Sequence, residues 1–211
     1  MTLQPTIVVP AAGLGRRFGA AGGQGHKLEQ PLDGLTVLGC TLRQALAAQL
    51  PLLVVTTAAL APLVARQLAT RDILVLSPGE AARGMGYSIA AGVAERSRSA
   101  GWLVLPADMP RVLPSTLRAV AAALAHHAVS YAQHRGRRGH PVGFAAELYS
   151  ELVQLDGDDG ARRVVARYPA QAVEVDDPGA LLDIDTPRDL AKAGEAPVVA
   201  GAGAAPGAGG A

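Results

Sequence analysis

The residues best suited to chemistry fall in a few short stretches. PAAGLGRRFG (10–19) brings glycines and two arginines to the end of an apolar run, and Lys27 follows a second glycine cluster. Glycines after a strand let backbone amides approach a phosphate closely. Arg16, Arg17 and Lys27 add the positive charge that a triphosphate requires before an anionic nucleophile can reach it. A solvated surface loop with scattered basic residues is the competing reading. The stretch is not a Walker motif, because no Gly-Lys-Ser/Thr follows. Gly13, Gly15 and Gly19 also miss the GxGxxG spacing of a dinucleotide site.

LVLPADMP (103–110) ends an apolar run in Asp108, between Pro106 and Pro110, which puts one carboxylate at the carboxyl edge of a sheet. Mg²⁺ takes one or two carboxylates and completes its shell with water and substrate phosphates. LLDIDTP (181–187) supplies the second, since alternation in an extended segment sets Asp183 and Asp185 on one face and Ile184 on the other. Asp185 is read as the metal ligand, with capping of the next helix as its alternative task. Asp183 is read as structural.

RGRRGHPVG (135–143) forms a basic turn without an acidic residue. A guanidinium pair suits a phosphate through bidentate contacts. Arg137, Arg138, His140 and Pro141 are therefore candidate acceptor-phosphate residues, with a solvated turn as the other reading. His126 and His127 end a helix and are read as solvated or as partners of its C-terminal dipole. Cys40, the one cysteine, sits among small apolar residues and reads as a buried hydrophobe.

Strand–helix alternation positions these residues. Apolar runs begin at 6, 51, 72 and 101, and helical patterns cover 41–49, 59–69, 88–99 and 114–127. Continuous rather than alternating apolar runs predict a parallel sheet covered on both faces. The fold class is thus α/β, a doubly wound sheet with its ligand site at the carboxyl ends of the strands. Residues 128–149 read as two strands around the basic turn, which makes the sheet mixed. A short helix (160–168), a strand (172–177) and a last helix (186–194) follow. Thr186 and Asp189 suggest a capping arrangement, with Pro187 at the first helical position.

The 211 residues suit one substantial domain, read as 1–194, and the Ala/Gly/Pro-rich 195–211 has too few large apolar side chains to fold. A net charge of +1 gives no basic field that calls for nucleic acid. No apolar run reaches membrane-spanning length, and MTLQPTIVVP lacks the basic start and long apolar stretch of a secretion signal. A cytoplasmic protein without membrane or nucleic-acid partners is expected.

PAAGLGRRFG with Lys27, then GMGYSIAAGV, LPADMP, RGHPVGF, GDDGARR and DIDTPRDL, occur in an order that resembles the molybdenum cofactor cytidylyltransferases. These belong to the nucleotidyltransferase superfamily, with the guanylyltransferases of the same cofactor and sugar-nucleotide pyrophosphorylases. The resemblance spans roughly residues 5–193. It implies a Rossmann-like fold of the nucleotide-diphospho-sugar transferase type and Mg²⁺-dependent transfer of CMP from CTP to molybdenum cofactor, with release of pyrophosphate. Ala11, Ala12, Gly13, Gly15 and Arg17 match the signature loop that holds the nucleotide, and Lys27 matches the signature lysine on phosphate. Arg17, Lys27 and Asp108 thereby become the expected catalytic residues. Asp108 and Asp185 match the two metal positions, and Gly84 to Ser88 matches the segment lining the nucleotide and acceptor cleft. Gly139–Phe144 and Gly157–Arg162 resemble the acceptor-side motifs.

Ala-Ala-Gly at 11–13 resembles the cytidylyl-transferring branch, whereas guanylyl-transferring relatives carry a Gly-Gly pair in place of Ala12-Gly13. Two departures stand out. The segment 20–26 is longer than the family usually has, and Tyr87 occupies a place where a smaller residue is more common. A related transferase acting on a sugar phosphate, polyol phosphate or phospholactate is the nearest rival. A non-catalytic nucleotide-binding accessory protein for molybdenum hydroxylase maturation is the rival from another class. The resemblance to the molybdenum cofactor enzymes implies transient contact with a molybdoenzyme or its chaperone.

Overall fold

A computed structural model describes residues 4–13 and 15–195 of the chain; the tail after Glu195, expected to be disordered, lies outside the described residues. Thr6–Ala11 (β1) is a run of β-branched and small residues, all buried, as a strand covered on both faces requires. Gly15, at φ 62°, then turns the chain into a short helix, Arg16–Ala20 (α1). A helical turn at Lys27–Glu29 leads to a small hairpin, Pro31–Leu32 (β2) and Leu35–Thr36 (β3), which the sequence patterns do not predict. Its signal is Asp33-Gly34, a pair suited to turns with both central residues at positive φ, and φ is 49° and 75° there.

Val37–Ala47 (α2) starts before the predicted Thr41 because the Thr36 side chain caps it, accepting the Gly39 N–H at 3.0 Å. Leu52–Thr57 (β4), Ala61–Val64 (α3), Ile73–Leu76 (β5) and Pro78–Ala81 (α4) follow, so the predicted 59–69 helix contracts to one α-helical turn. Met85–Glu95 (α5), Gly101–Val104 (β6) and Pro114–Ala123 (α6) lead to the hairpin of Val129–His134 (β7) and Arg137–Ala145 (β8). Tyr149–Leu152 (α7), Arg162–Arg167 (α8), Ala170–Glu174 (β9) and Pro187–Glu195 (α9) complete the described chain. Glu195 thus belongs to the last helix rather than to the tail.

The large sheet has the order β5-β4-β1-β6-β8-β7-β9. β1 pairs in parallel with β4 and β6, β4 with β5, and β7 with β9, while β8 runs antiparallel to β6 and β7. The expected mostly parallel, mixed sheet is therefore present. Alternate residues of β1 feed two cores. Ile7 and Val9 join Leu38 and Leu42 of α2 and Leu117 and Val120 of α6, and Val8 joins Ile89 and Val93 of α5 and Val164 of α8. Helices on both faces make the sheet doubly wound. Among the described residues no helix is long and apolar enough to cross a membrane.

Two clamps fix the C-terminal segment. Thr186 donates through its backbone N–H and its hydroxyl to Asp189 at 2.9 and 2.7 Å, and Asp189 returns its N–H to the Thr186 hydroxyl at 3.2 Å. That is the expected capping box, and it assigns the cap to Thr186 rather than Asp185. The buried Arg111 guanidinium donates to the Ala193 carbonyl at 2.9 Å and pairs with Asp33 at 2.6 Å, which ties α9 to the β2–β3 turn.

Candidate active site

The carboxyl ends of β1 and β6 open onto a cavity of about 770 Å³. Its floor and one rim come from the turn after β1, where Ala11, Ala12, Gly13, Gly15 and Arg17 line the space. Gly84 and Ser88 line it from the start of α5. That helix begins at Met85 rather than at the predicted Ser88, because Gly84 takes φ 94°. A side chain at Gly84 would meet the Gly157 carbonyl oxygen at 2.6 Å. Only glycine lets the 156–160 loop press this closely on the helix start, and Gly86 N–H donates to Gly157 O at 2.7 Å across the same junction. The Ser88 hydroxyl is spent within the helix, donating to Gly84 O at 3.3 Å.

Lys27 is the hub of the charged corner. Its ammonium donates to Asp108 Oδ2 at 2.5 Å and to Asp185 Oδ1 at 2.8 Å, with all three side chains largely enclosed. Burial favours the neutral amine, yet Asp108 and Asp185 outweigh it and hold Lys27 above the usual lysine value. Partial burial likewise favours protonated Asp185, but hydrogen bonds from Lys27 and Arg17 hold its carboxyl below the ordinary range. Arg17, highly exposed, reaches Asp185 Oδ2 at 2.9 Å. The two carboxylates matched to metal positions are thus bridged by the lysine matched to phosphate.

Asp183 also faces the cavity. Ile184 between them is fully buried, so the predicted alternation places Asp183 and Asp185 on one face. Partial enclosure, reinforced by Asp108 and Asp185, raises the Asp183 carboxyl above its usual value. Asp183, read as structural, borders a corner in which three carboxylates face the cations of Arg17 and Lys27. The sequence signal was the alternation itself, which treats both aspartates alike.

His26 escapes the motif reading. Its Nδ1 accepts the Leu28 N–H at 3.2 Å, so Nε2 carries the proton and donates it to the Gly13 carbonyl at 2.9 Å. The imidazole thereby joins the glycine turn after β1 to the segment that carries Lys27. The long 20–26 segment is absorbed before this tether, and Lys27 still reaches the carboxylates.

The reversed strand β8 supplies the far part of the wall. Arg137, Arg138, Gly139 and His140 line the cavity, whereas Pro141 does not. The hairpin turn is Arg135–Gly136, at φ 50° and 73°, so Arg137 and Arg138 open the strand instead of lying in the turn. The Arg138 guanidinium lies 4.6 Å over the Tyr131 ring, and neither arginine pairs with a carboxylate among the described residues. Burial pushes His140 down to about 4, with Asp183 opposing and Arg138 reinforcing the effect. Its Nδ1 is buried without a hydrogen-bond partner among the described residues. Tyr87 is turned from the cavity: its hydroxyl donates to Glu80 at 3.1 Å and its ring lies under Arg83 at 3.9 Å.

A sheet of this strand order, with its cavity against the turn after β1, places the protein among the nucleotidyltransferases. Solved structures share the fold over nearly the whole chain. Rv0371c from Mycobacterium tuberculosis H37Rv is 29% identical with a TM-score of 0.76, covering 92% of this chain and 99% of that one. A nucleotidyl transferase from Methanothermobacter thermautotroptrophicus (Mth528) is 27% identical with a TM-score of 0.73, covering 91% and 96%. The purine catabolism protein PucB of Bacillus subtilis (strain 168) is 33% identical over 192 residues, covering 85% of this chain and 90% of the relative. The chain belongs to the MobA-like NTP transferase domain family, whose model matches residues 7–173.

Proposed function

We propose that this nucleotidyltransferase transfers CMP from CTP to a phosphorylated acceptor, molybdenum cofactor, and releases pyrophosphate. One observation carries the reading: the glycine turn, Arg17, Lys27, Asp108 and Asp185 meet at one corner of a cavity whose other wall presents Arg137, Arg138 and His140. A nucleotide on the first and a phosphate on the second would bring the two reacting phosphates together.

The carboxylates fit a divalent cation. Two oxygens that reach a single nitrogen at 2.5 and 2.8 Å can face one small ion, and hard oxygen donors suit Mg²⁺ or Mn²⁺. Rv0371c has been solved in complex with manganese, at 28% identity and a TM-score of 0.73, which supports a divalent metal as a cofactor of this chain. Asp108 and Asp185 would hold it, Mg²⁺ being the proposed ion, and when bound it would neutralise charge on the triphosphate.

In the reaction an oxygen of the acceptor phosphate forms a bond to the α-phosphorus of CTP. The bond from that phosphorus to the bridging oxygen breaks, and pyrophosphate carries off the electron pair. A phosphomonoester is already ionised near neutral pH, its second pKa being about 6, so no general base is needed. Arg17 and Lys27 would stabilise charge on the transferring group and on pyrophosphate. Arg137 and Arg138 would hold the acceptor phosphate in line. His140, neutral at pH 7, would offer a hydrogen bond without adding charge.

Similarity to a purine catabolism protein favours delivery of the finished cofactor to an enzyme of purine breakdown, through transient contact with that enzyme or its chaperone. The same similarity supports an accessory role without catalysis as a second reading. Pyrophosphate release, with Mg²⁺, each NTP in turn and molybdenum cofactor, tests both. Release confined to CTP plus cofactor is expected, and no release with any NTP would leave the accessory reading.

A further inference from the structure

We infer that Lys27 is an internal counter-ion of the Asp108–Asp185 pair, which competes with the divalent metal for it and is drawn off by the incoming triphosphate. The inference rests on reading Asp108 and Asp185 as the metal-holding residues. Lys27 lies 81 residues from Asp108 and 158 from Asp185, and its ammonium contacts one oxygen of each. Its side chain is 15% exposed and that of Asp108 16%, so each charge would be costly if left without a partner.

The two occupants compete for the same oxygens. A metal about 2.1 Å from these oxygens and an ammonium at hydrogen-bond distance from the same atoms would be two cations within about 5 Å. Their mutual repulsion drives Lys27 off these oxygens when the metal enters. Its way out is short. A side chain built at Gly15 would meet Lys27 Cγ at 3.5 Å, so the lysine stem runs against the glycine turn. Rotation of the outer methylenes turns the ammonium from the carboxylates toward the cavity. A triphosphate on that turn supplies the replacement anion, and the vacated carboxylates become available to the metal. Nucleotide and metal then favour each other's binding, by the reciprocity that governs any two linked sites. Arg17 is a natural contrast: 82% exposed, its guanidinium pairs among the described residues only with Asp185 Oδ2 and leaves the shared oxygens free.

Mn²⁺ binding to the nucleotide-free protein, followed by electron paramagnetic resonance, tests the inference. Lys27→Met should tighten Mn²⁺ binding about tenfold, within the range usual for coupled sites. Arg17→Met should change it by less than about threefold, the scale of an exposed pair. Equal tightening in both variants would mean that only net charge matters, and this, like unchanged or weaker binding in Lys27→Met, overturns the inference while leaving the metal assignment intact. Asp108→Asn should abolish binding, and wild-type affinity in that variant removes the metal assignment and the inference with it.

The wild-type protein gives a second readout, independent of whether Lys27→Met folds. Lys27 and Lys192 are the only lysines, so reductive ¹³C-methylation, which retains the charge, yields two resolvable side-chain signals. Mg²⁺ should move the Lys27 signal, with the midpoint falling when CTP is present, and leave that of the exposed Lys192 in place. A Lys27 signal that stays fixed while Mg²⁺ saturates the protein overturns the inference.

Discussion

The backbone N–H of Ile184 donates to the carbonyl oxygen of Asp108 at 3.0 Å. This bond joins the segment after β6 to the one before α9 and sets the spacing of their carboxylates. Ile184 itself is fully buried, so its side chain anchors the junction from below. Ile184→Ala should cost about 2–5 kcal/mol of stability through the cavity it leaves. It should also lower kcat, because Asp183 and Asp185 lose their fixed direction. Denaturant unfolding and steady-state kinetics measured together would check this; an unchanged midpoint would remove Ile184 as the anchor.

Asp108→Asn keeps the size of the side chain and removes its charge. Turnover should fall on the order of 100-fold, the scale on which charge-stabilising groups act in enclosed sites. The fold should persist, since Lys27 retains Asp185 at 2.8 Å. Near-normal pyrophosphate release from the folded variant would exclude Asp108 from catalysis.

Ala12 is 3% exposed and lines the cavity, so a methyl group there bears directly on the room left for a base. The wild-type protein should prefer CTP to GTP, and Ala12→Gly should weaken that preference. Equal kcat/KM for the two nucleotides in the wild type would refute cytidylyl selectivity without touching the transferase assignment.

Replacing both Arg137 and Arg138 with Gln tests the acceptor wall. Both are exposed and start β8, so the fold should tolerate the change. The KM for the acceptor should rise much more than that for CTP, and the salt dependence of acceptor binding should flatten. An unchanged acceptor KM would return these arginines to solvated strand ends.

His140 makes the protein sensitive to acid. Burial holds its folded-state pKa near 4, below the ordinary 6.5, so the proton binds better to the unfolded chain. The stabilisation due to neutral His140 is complete above 6.5 and is lost as pH falls toward 4. His140→Gln should therefore flatten the decline of melting temperature over that interval. Parallel melting curves for the two proteins would show that other groups govern it.

The central strands were legible because each is a continuous apolar run, and β1, β4, β5 and β6 lie where those runs predict. The β7–β8 hairpin was legible as two strands, but its turn was not. Arg135 at φ 50° carries little local signature, and the basic residues around it drew the turn too far along the chain. The start of α5 depends on Gly84 meeting a loop more than seventy residues away, which no window of local sequence contains. The same holds for the site. Each charged residue could be singled out by type and neighbours, yet the bridging of Asp108 and Asp185 by Lys27 is a product of chain folding alone. His26 and Arg111 were missed because a lone His after glycines and a lone Arg before a helix resemble ordinary surface residues until their backbone partners are known.

The reversal of β8 divides responsibility for the rim. Strands that run with β1 arrive at the cavity by their ends, so their loops must also connect onward to helices. β8 arrives by its beginning, out of a two-residue turn held to β9 by the Arg135 N–H, which donates to Glu174 at 2.7 Å. Its first two residues, Arg137 and Arg138, are exposed and can be exchanged or recharged without disturbing the connections that hold Lys27, Asp108 and Asp185, whereas Gly139 lies too close to the Ala180 backbone to carry a side chain. One half of the chamber is therefore conservative by construction and the other adaptable, an architecture open to a change of acceptor while the nucleotide chemistry stays as it is.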